Sequence, residues 1–353
     1  MTSQSPSWSP SSSKNELLRD LLKQVSRLFY TTLTVVPANV RDQVSLAYLF
    51  ARAADTIADT EFIDRPRRLD FLVQLKAQFV GGPLAWGQIR DIQRAIAPIQ
   101  QQSAERVLLE RLEDCFRLFE TFSSDDRRRV CRLMTTLTQG MEMDLTVFRG
   151  GSAEDLVALK TIDDLDRYIY FVAGCVGEFW TDLMCAHRPA LRSWDVRRMA
   201  EMGVRFGKGL QLTNIVKDLP HDLRRGRCYV PDSLLAKAGL TPRDLLEPQS
   251  LSRVRPVLTH LARSAVEHLD QGWLYTMAIP RHETRLRLAC MWPILSAGES
   301  LKLVQRSPDV LNPSVKVKIS RRKVYQIIGL TTLTGACGYV GTAYWGRLRK
   351  QLL

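Results

Sequence analysis

Residues 211–231 read QLTNIVKDLPHDLRRGRCYVP, and the spacing of their polar side chains is the most informative pattern in the chain. Gln211, Asn214, Asp218 and Asp222 follow one another at steps of three, four and four residues. In a helix these steps place four side-chain oxygens along one stripe. Mg²⁺ prefers oxygen ligands and commonly takes one or two carboxylates together with substrate phosphate oxygens. The stretch therefore predicts a helix that offers a magnesium–diphosphate site.

Two further features of this stretch bear on that site. Arginines follow the acidic stripe at positions 224, 225 and 227, where they could bind the same phosphate in a fork geometry. Pro220 is expected to kink the helix, or to end it before Asp222, because proline lacks the N–H that a helix interior needs.

A second acidic pair lies in residues 48–59, which read YLFARAADTIAD. Asp55 and Asp59 are four residues apart, so in a helix their side chains project about 40° apart on one face. Like charges at this spacing destabilise a helix by about 0.2–0.5 kcal/mol unless a cation or solvent relieves them. Because the surrounding residues are largely apolar, we expect both carboxylates to face a cavity. Two acidic stripes facing each other across it would hold several Mg²⁺ ions around a diphosphate, the alternative being two unrelated acidic helix faces.

The composition excludes several classes of protein. Hydrophobic residues make up 45% and charged residues 25% of the 353 residues, which supports a large core and excludes wholesale disorder. The net charge of +13 is spread over short basic runs without interleaved aromatics, so anionic substrates or an anionic membrane explain it without nucleic acid. The seven cysteines form no CxxC pair, which indicates reduced thiols in a cytosolic domain.

Long amphipathic stretches with short breaks predict an all-α protein with one helical domain, residues 14–315, arranged as a bundle around a central cavity. A Ser/Pro-rich tail, residues 1–13, is expected to be disordered. Beyond the domain, a basic segment of residues 316–323 leads to an uncharged stretch, 324–345, and a basic tail, 346–353.

The uncharged stretch 324–345, VYQIIGLTTLTGACGYVGTAYW, favours a membrane-spanning helix. At about 1.5 Å per residue it spans about 33 Å, enough for a hydrocarbon core. Tyr325, Tyr344 and Trp345 stand near its ends, as interfacial anchors do. A buried terminal helix or an interfacial helix is the alternative, since the stretch also contains four glycines and four threonines. We expect a carboxy-terminal membrane anchor, with the helical domain in the cytoplasm.

Several motifs in order resemble those of the squalene/phytoene synthase family of head-to-head prenyl synthases. Residues 48–59 and 211–231 are similar to the two aspartate motifs of that family. Residues 26–29 (SRLF) resemble its early SRxF segment, and residues 140–145 (GMEMDL) resemble the central helix of its phytoene branch. The resemblance covers residues 20–325 or so.

Other segments point to a branch within the family. Residues 168–177 (YIYFVAGCVG) match the YxxxVAGxVG segment. Residues 289–293 (ACMWP) and 317–321 (VKISR) are similar to segments of the squalene synthase branch, which is the closest one. Ala58 and His221 stand where that branch often carries glutamate, which weakens the branch assignment and leaves the metal ligands intact.

The resemblance implies an isoprenoid synthase fold and assigns roles to individual residues. The implied ligands of Mg²⁺, or of Mn²⁺ in its place, are Asp55, Asp59, Asn214, Asp218 and Asp222. The residues implied in substrate binding are Arg27, Phe29, Tyr48, Arg52, Gln211 and Arg227. The implied catalytic residues are Tyr168 and the four motif aspartates. The residues implied in NADPH binding are Lys318 and Arg321.

The resemblance further implies that two farnesyl diphosphates condense, through presqualene diphosphate, to squalene with reduction by NADPH. The channel for the reacting chains would be dry, lined by Phe29, Phe171, Ala173 and Leu212. Its apolar product would leave into membrane lipid. One alternative is a synthase of phytoene, dehydrosqualene or presqualene diphosphate that performs no reduction. Another is an inactive membrane-bound assembly factor of the same fold, which the intact aspartates disfavour.

Overall fold

The computed structural model describes residues 14–334 and 338–353, apart from the side chains of residues 27–29. The expected disordered tail, residues 1–13, lies outside this description. The described residues are predominantly helical, which confirms the all-α prediction. By its internal contacts the chain divides into two compact units, the first comprising residues up to Thr34 together with Ala38–Thr138, and the second comprising Val35–Pro37 and Gln139–Leu353.

The helices up to residue 147 are α1 (Leu22–Val25), α2 (Arg27–Val35), α3 (Ala38–Asp59), α4 (Arg65–Ala77), α5 (Trp86–Ile96), α6 (Ser103–Glu110), α7 (Leu112–Glu120) and α8 (Ser124–Val147). The later helices are α9 (Ile162–Ile169), α10 (Cys175–His187), α11 (Val196–Arg224), α12 (Asp232–Lys237), α13 (Leu251–Ala278), α14 (Thr284–Arg306), α15 (Arg321–Leu333) and α16 (Gly338–Leu352). Two π-helical segments are Glu16–Leu21 and Tyr170–Gly174, and short 3₁₀ turns occupy Ala97–Ile99, Ala153–Asp155, Pro189–Leu191, Pro242–Leu246 and Pro248–Ser250.

An aromatic cluster forms part of the core of the first unit. The fully buried ring of Phe50, on α3, has its centroid 4.7 Å from that of Phe116 and 5.0 Å from that of Phe79. Such tilted and edge-on pairs add stabilisation beyond the area they bury. With this face of α3 packed inward, Asp55 and Asp59 remain half-buried on the same helix.

Helix α11 is the longest helix of the second unit and packs against α10 and α13. Glycines let α10 and α11 meet at backbone distance, because a Cβ built on Gly177 would lie 2.0 Å from the carbonyl oxygen of Gly203. One turn further, a Cβ on Gly207 would lie 2.2 Å from the carbonyl oxygen of Ala173. No side chain fits at such distances, so these glycines determine how α11 lies along residues 168–177.

Pro220 lies inside α11, which continues to Arg224. The helix therefore does not end before Asp222, which was one of the two outcomes expected from this proline. The packing of α11 on both neighbours outweighs the one hydrogen bond that proline removes. After the helix, Gly226 adopts a φ of 72° and leads into strand β2 (Arg227–Cys228). This strand pairs in parallel with β1 (Val157–Ala158), which comes earlier in the chain. The pairing of Val157 with Arg227 holds that arginine close behind the acidic stripe.

The expected membrane-spanning stretch 324–345 is described as parts of two helices. Helix α15 ends at Leu333, α16 is described from Gly338, and residues 335–337 lie outside the description. Because residues 335–337 lie outside the description, one spanning helix over 324–345 stays a prediction.

Both terminal helices pack on α14. The indole of Trp292 donates to Thr331 Oγ1 at 2.8 Å, which ties α15 to α14. The buried indole of Trp345 donates to Asp270 Oδ1 at 2.9 Å, which ties α16 to α13. The apolar residues of this stretch are therefore used partly as core.

Within the part of the chain that the structure describes, one helical stretch, Ile162–His187, is long and apolar enough to cross a membrane. It comprises α9, the π-helical segment and α10, and 39% of its most apolar window is buried inside the protein. Core helices of globular proteins pass the same test of length and composition.

Candidate active site

Helix α11 carries the predicted acidic stripe of the second unit. Asn214 and Asp218 are exposed, while Gln211 and Asp222 are half-buried. Between the two exposed groups stands Lys217, whose Nζ lies 3.0 Å from Asn214 Oδ1 and 3.2 Å from Asp218 Oδ2. An ammonium group thus already neutralises part of the charge that a bound cation would meet.

Asp222 lies in an unfavourable electrostatic environment. Burial, followed by the negative charge of Asp218, raises the pKa of Asp222 to about 7. The guanidinium of Arg227 opposes that shift, and Asp144 adds to it. A carboxyl with such a pKa changes charge near neutral pH, and a bound divalent cation would favour its ionised form.

The side chain of Tyr168 sits in a buried polar cluster of the second unit. Its phenol donates to Asp144 Oδ2 at 3.2 Å, and the phenol of Tyr229 donates to Asp144 Oδ1 at 3.0 Å. The two rings stack with centroids 4.7 Å apart, and Arg227 Nη1 lies 3.8 Å from Asp144 Oδ2. Burial, and then the charge of Asp144, raises the pKa of both phenols well above its usual value, so both keep their protons.

The first unit presents its own cluster on α3. The guanidinium of Arg52 donates to Asp55 Oδ2 at 2.8 Å and also pairs with Glu105, a largely buried carboxylate on α6. Burial raises the pKa of the Tyr48 phenol one turn earlier on the same helix, and a hydrogen bond with Ser26 opposes that shift. Arg52 is therefore held between two carboxylates, and Asp59 lies half-buried one turn after Asp55 on the same helix.

The remaining predicted site residues lie in α2, in the segment before α15 and at the start of α15. Arg27 and Phe29 belong to the first turn of α2, and their side chains lie outside the description. Lys318 is exposed in the segment before α15, and Arg321 is exposed at the first position of that helix. Of the predicted channel residues, Leu212 is buried on α11, and Phe171 and Ala173 are half-buried in the π-helical segment.

The donor set suits a hard divalent cation. Among the described residues, no three acidic, histidine or cysteine side chains lie close enough to form a metal cage on their own. Mg²⁺ usually keeps water and substrate phosphate oxygens and takes only one or two carboxylates from the protein. The carboxylates of Asp218 and Asp222, one turn apart and accompanied by an amide oxygen, fit that pattern.

Three residues of these clusters were not predicted to have a role. Asp144 lies within residues 140–145 and Tyr229 within residues 211–231, and the sequence marks each only as an acidic or aromatic residue beside apolar ones. Glu105 had no signal, because it meets Arg52 across 53 residues of chain.

Comparison with known proteins gives a consistent result. A family model described as squalene/phytoene synthase matches residues 22–323. The squalene synthase of Saccharomyces cerevisiae is 25% identical over 334 residues, covering 94% of this chain and 70% of the yeast protein. The 15-cis-phytoene synthase of Enterobacter agglomerans is 26% identical over 285 residues, covering 79% of this chain and 82% of the Enterobacter protein.

Solved structures share the fold. A complex of TcSQS with the ligand E5700 has a TM-score of 0.75 at 22% identity, covering 96% of this chain and 91% of that chain. A dehydrosqualene synthase in complex with a ligand has a TM-score of 0.63 at 20% identity, covering 92% of this chain and 99% of that chain. These likenesses establish the all-α isoprenoid synthase fold.

In the metal-free protein, Asp222→Asn should raise the melting temperature more at pH 8 than at pH 5. The folded-state pKa of about 7 lies above the unfolded value of about 3.9. The stability that the protonated carboxyl contributes is therefore fully present below about pH 4 and is lost as the pH rises through 7. Because asparagine stays neutral, we expect a gain of several degrees at pH 8, at about 2–4 °C per kcal/mol, measured by differential scanning fluorimetry.

The control is Asp166→Asn, which removes an exposed carboxylate paired with Lys208 at 2.7 Å. That variant should show no comparable gain at pH 8. An Asp222→Asn gain as large at pH 5 as at pH 8 would contradict the assigned environment of Asp222.

Proposed function

The chain belongs to the squalene/phytoene synthase family, whose members are prenyltransferase-type synthases that act on prenyl diphosphates, and from this premise we propose that it condenses two farnesyl diphosphates head to head and reduces the product to squalene with NADPH. The observation that carries the proposal is the cluster in the second unit. There a buried Tyr168 shares the carboxylate of Asp144 with Arg227, next to the Asp222 end of the acidic stripe.

The proposed site binds diphosphate through metal ligands and arginines. Mg²⁺, or Mn²⁺, held by the five oxygen ligands predicted above would neutralise diphosphate charge and assist its departure. Arg52 and Arg227 would donate charge-assisted hydrogen bonds to the oxygens on which negative charge develops. The ion pairs that hold both guanidinium groups keep them oriented before substrate arrives.

Departure of diphosphate leaves an allylic cation, which a dry and apolar site must protect from water. The phenol of Tyr168 would stabilise this cation with its oxygen and ring, because its high pKa keeps it neutral. Condensation would pass through presqualene diphosphate. Lys318 and Arg321, both exposed, are the proposed contacts for the phosphate groups of NADPH.

One alternative within the family is favoured by a specific observation. The phytoene synthase relative matches over most of its own length, and residues 140–145 resemble the phytoene branch. In that case the chain would make phytoene or dehydrosqualene, or stop at presqualene diphosphate, and would need no nicotinamide. An inactive assembly factor has less support, because all four motif aspartates are present.

Removing one carboxylate from either acidic pair should abolish metal-dependent turnover. Asp55→Ala and Asp218→Ala should each lower the rate of diphosphate release from farnesyl diphosphate by at least about 100-fold, since each removes a ligand that offsets leaving-group charge. Release is measured with a coupled pyrophosphatase assay over a range of Mg²⁺ concentrations. Asp125→Asn, an exposed carboxylate paired with Arg128, is the control. Release that persists unchanged in the two alanine variants would defeat the metal assignment.

The identity of the product should depend on NADPH. With labelled farnesyl diphosphate and Mg²⁺, the wild-type protein should give squalene when NADPH is present and presqualene diphosphate or an unreduced hydrocarbon when it is absent. Lys318→Ala should shift the product toward the unreduced species at normal diphosphate release, as judged by mass spectrometry. The same hydrocarbon with and without NADPH would rule out the squalene assignment in favour of a non-reducing synthase.

We also propose that the protein attaches to a membrane surface through the junction of α15 and α16, here called the junction surface: Leu330, Leu333, Tyr339 and Arg281. Leu333 is 89% and Tyr339 82% exposed, although large apolar side chains are normally buried. Thr331 of α15 bonds to Trp292, and a Cβ built on Gly341 of α16 would lie 3.1 Å from Met291, so α15 and α16 both meet α14 at adjacent residues.

Charge complements the apolar part of the junction surface. Arg281 and Tyr339 both line a cleft of about 710 Å³, so the cation and the exposed ring border the same concave surface. Apolar side chains that enter the acyl boundary, flanked by cations that meet anionic headgroups, are the pattern of an interfacial membrane contact. This attachment would give the apolar product a nearby sink.

Charges introduced at the junction surface should release the protein from vesicles. The double variant Leu333→Glu, Tyr339→Glu should sediment with anionic phosphatidylcholine–phosphatidylserine vesicles at least about tenfold less than wild type, because two apolar contacts become repelled charges. The control Leu353→Glu adds a charge at an exposed position at the other end of α16. Equal sedimentation of the double variant and the control would contradict the proposed attachment.

A further inference from the structure

We propose that Asp144 is a positioning residue that accepts hydrogen bonds from both buried phenols, Tyr168 and Tyr229, and so leaves their oxygens as hydrogen-bond acceptors. This inference deepens the proposed function and rests on it. It concerns a residue that makes no assumed contact with substrate or metal and acts through the two tyrosines.

The geometry is that of one carboxylate shared by two donors. Each oxygen of Asp144 receives one phenol, Tyr229 at Oδ1 at 3.0 Å and Tyr168 at Oδ2 at 3.2 Å. The rings stack at 4.7 Å with an interplanar angle of 22°, so the two hydroxyl groups project side by side. Tyr168 and Tyr229 are 4% and 6% exposed, and Phe148 packs edge-on against Tyr229.

The number of protons available for donation determines the direction of the hydrogen bonds in the cluster. A phenol has a single proton to donate and can otherwise only accept. The two hydroxyl groups also lie close enough to interact with each other. A hydrogen bond to a carboxylate is about twice as strong as one between neutral groups, so both protons point to Asp144. The remaining lone pairs of both oxygens point away from the carboxylate.

Arg227 keeps this arrangement charged. Its guanidinium lies 3.8 Å from Asp144 Oδ2, and both of these side chains are more than four-fifths buried. A buried carboxylate without a cation partner would be costly, and the pairing favours its ionised form. The strand pairing of Val157 with Arg227 fixes the arginine at that place. Asp144 therefore has one cation and two neutral donors facing it from two separate parts of the second unit, Tyr168 on α9 and Arg227 with Tyr229 at β2.

The functional consequence concerns the allylic cation of the proposed reaction. Two phenol oxygens that present only lone pairs give a negative potential toward a cation without offering it a proton. If the protons pointed the other way, the same groups would repel the cation. The orientation set by Asp144 therefore stabilises the cationic transition state and contributes little to the binding of the neutral prenyl chain.

The test uses the full-length protein and the size-matched variant Asp144→Asn. The amide donates where the carboxylate accepts, which reverses the hydrogen bond to one phenol. We expect kcat for condensation of farnesyl diphosphate to fall about 10- to 100-fold, and KM to change by less, because Arg227 also loses its charged partner. Asp166→Asn, a carboxylate on the same helix as Tyr168 but outside the cluster, is the control.

A double-mutant cycle distinguishes positioning from general structural support. In the background Tyr168→Phe, Tyr229→Phe, no phenol is left to orient, so Asp144→Asn should lower kcat much less than it does in the wild type. All variants are assayed below the melting temperature of the least stable one. An undiminished effect of Asp144→Asn in the phenylalanine background, or a wild-type kcat for Asp144→Asn alone, would overturn the inference. Failure of the wild type to consume farnesyl diphosphate with Mg²⁺ would instead refute the proposed function.

Discussion

The second unit depends on a backbone contact between α10 and α11. At Gly177 and Gly203 the helices approach so closely that neither position has room for a Cβ. Packing at this distance gives large dispersion gains and leaves little freedom to slide, since a shift along either helix brings side chains into the contact. The same contact sets the register between Tyr168, which precedes α10, and Asp222, near the end of α11. The chemistry assigned to this unit is thus positioned by residues that carry no chemistry themselves.

The cluster at the end of α11 is electrostatically expensive in the absence of ligand. Asp222 and Asp144 raise each other's energy, and burial adds to the cost, which shows in the pKa of about 7 at Asp222. The positive charges of Arg227 and Arg225 offset this cost only partly. A site that is strained when empty and relieved by a cation binds that cation in proportion to the relief, at the expense of stability in the empty protein. This balance explains why the α11 carboxylates lie on a rigid helix rather than on a loop that could move them apart.

The sequence allowed prediction of those features that depend on local spacing. The acidic stripe of residues 211–231 follows from helical periodicity, and the all-α class follows from repeated amphipathic stretches. Partners separated by long stretches of chain could not be predicted: Glu105 reaches Arg52, and Asp144 reaches Tyr229, through tertiary packing alone. The terminal stretch 324–345 illustrates a different limit. Apolar composition is the same for a helix in lipid and for a helix buried in protein, and only contacts such as those on α14 separate the two.

The use of phenols beside a buried carboxylate has a chemical reason if the proposed reaction is right. A carboxylate placed directly against an allylic cation would combine with it or remove a proton from it, and either event ends the reaction early. A neutral phenol is a far weaker nucleophile and base, and the raised pKa of Tyr168 keeps it neutral. With its proton held by Asp144, the phenol still transmits part of the carboxylate's negative potential through its oxygen. In the proposed reaction, the cluster would place negative potential near the cation while the reactive charge of Asp144 stays one residue away from it.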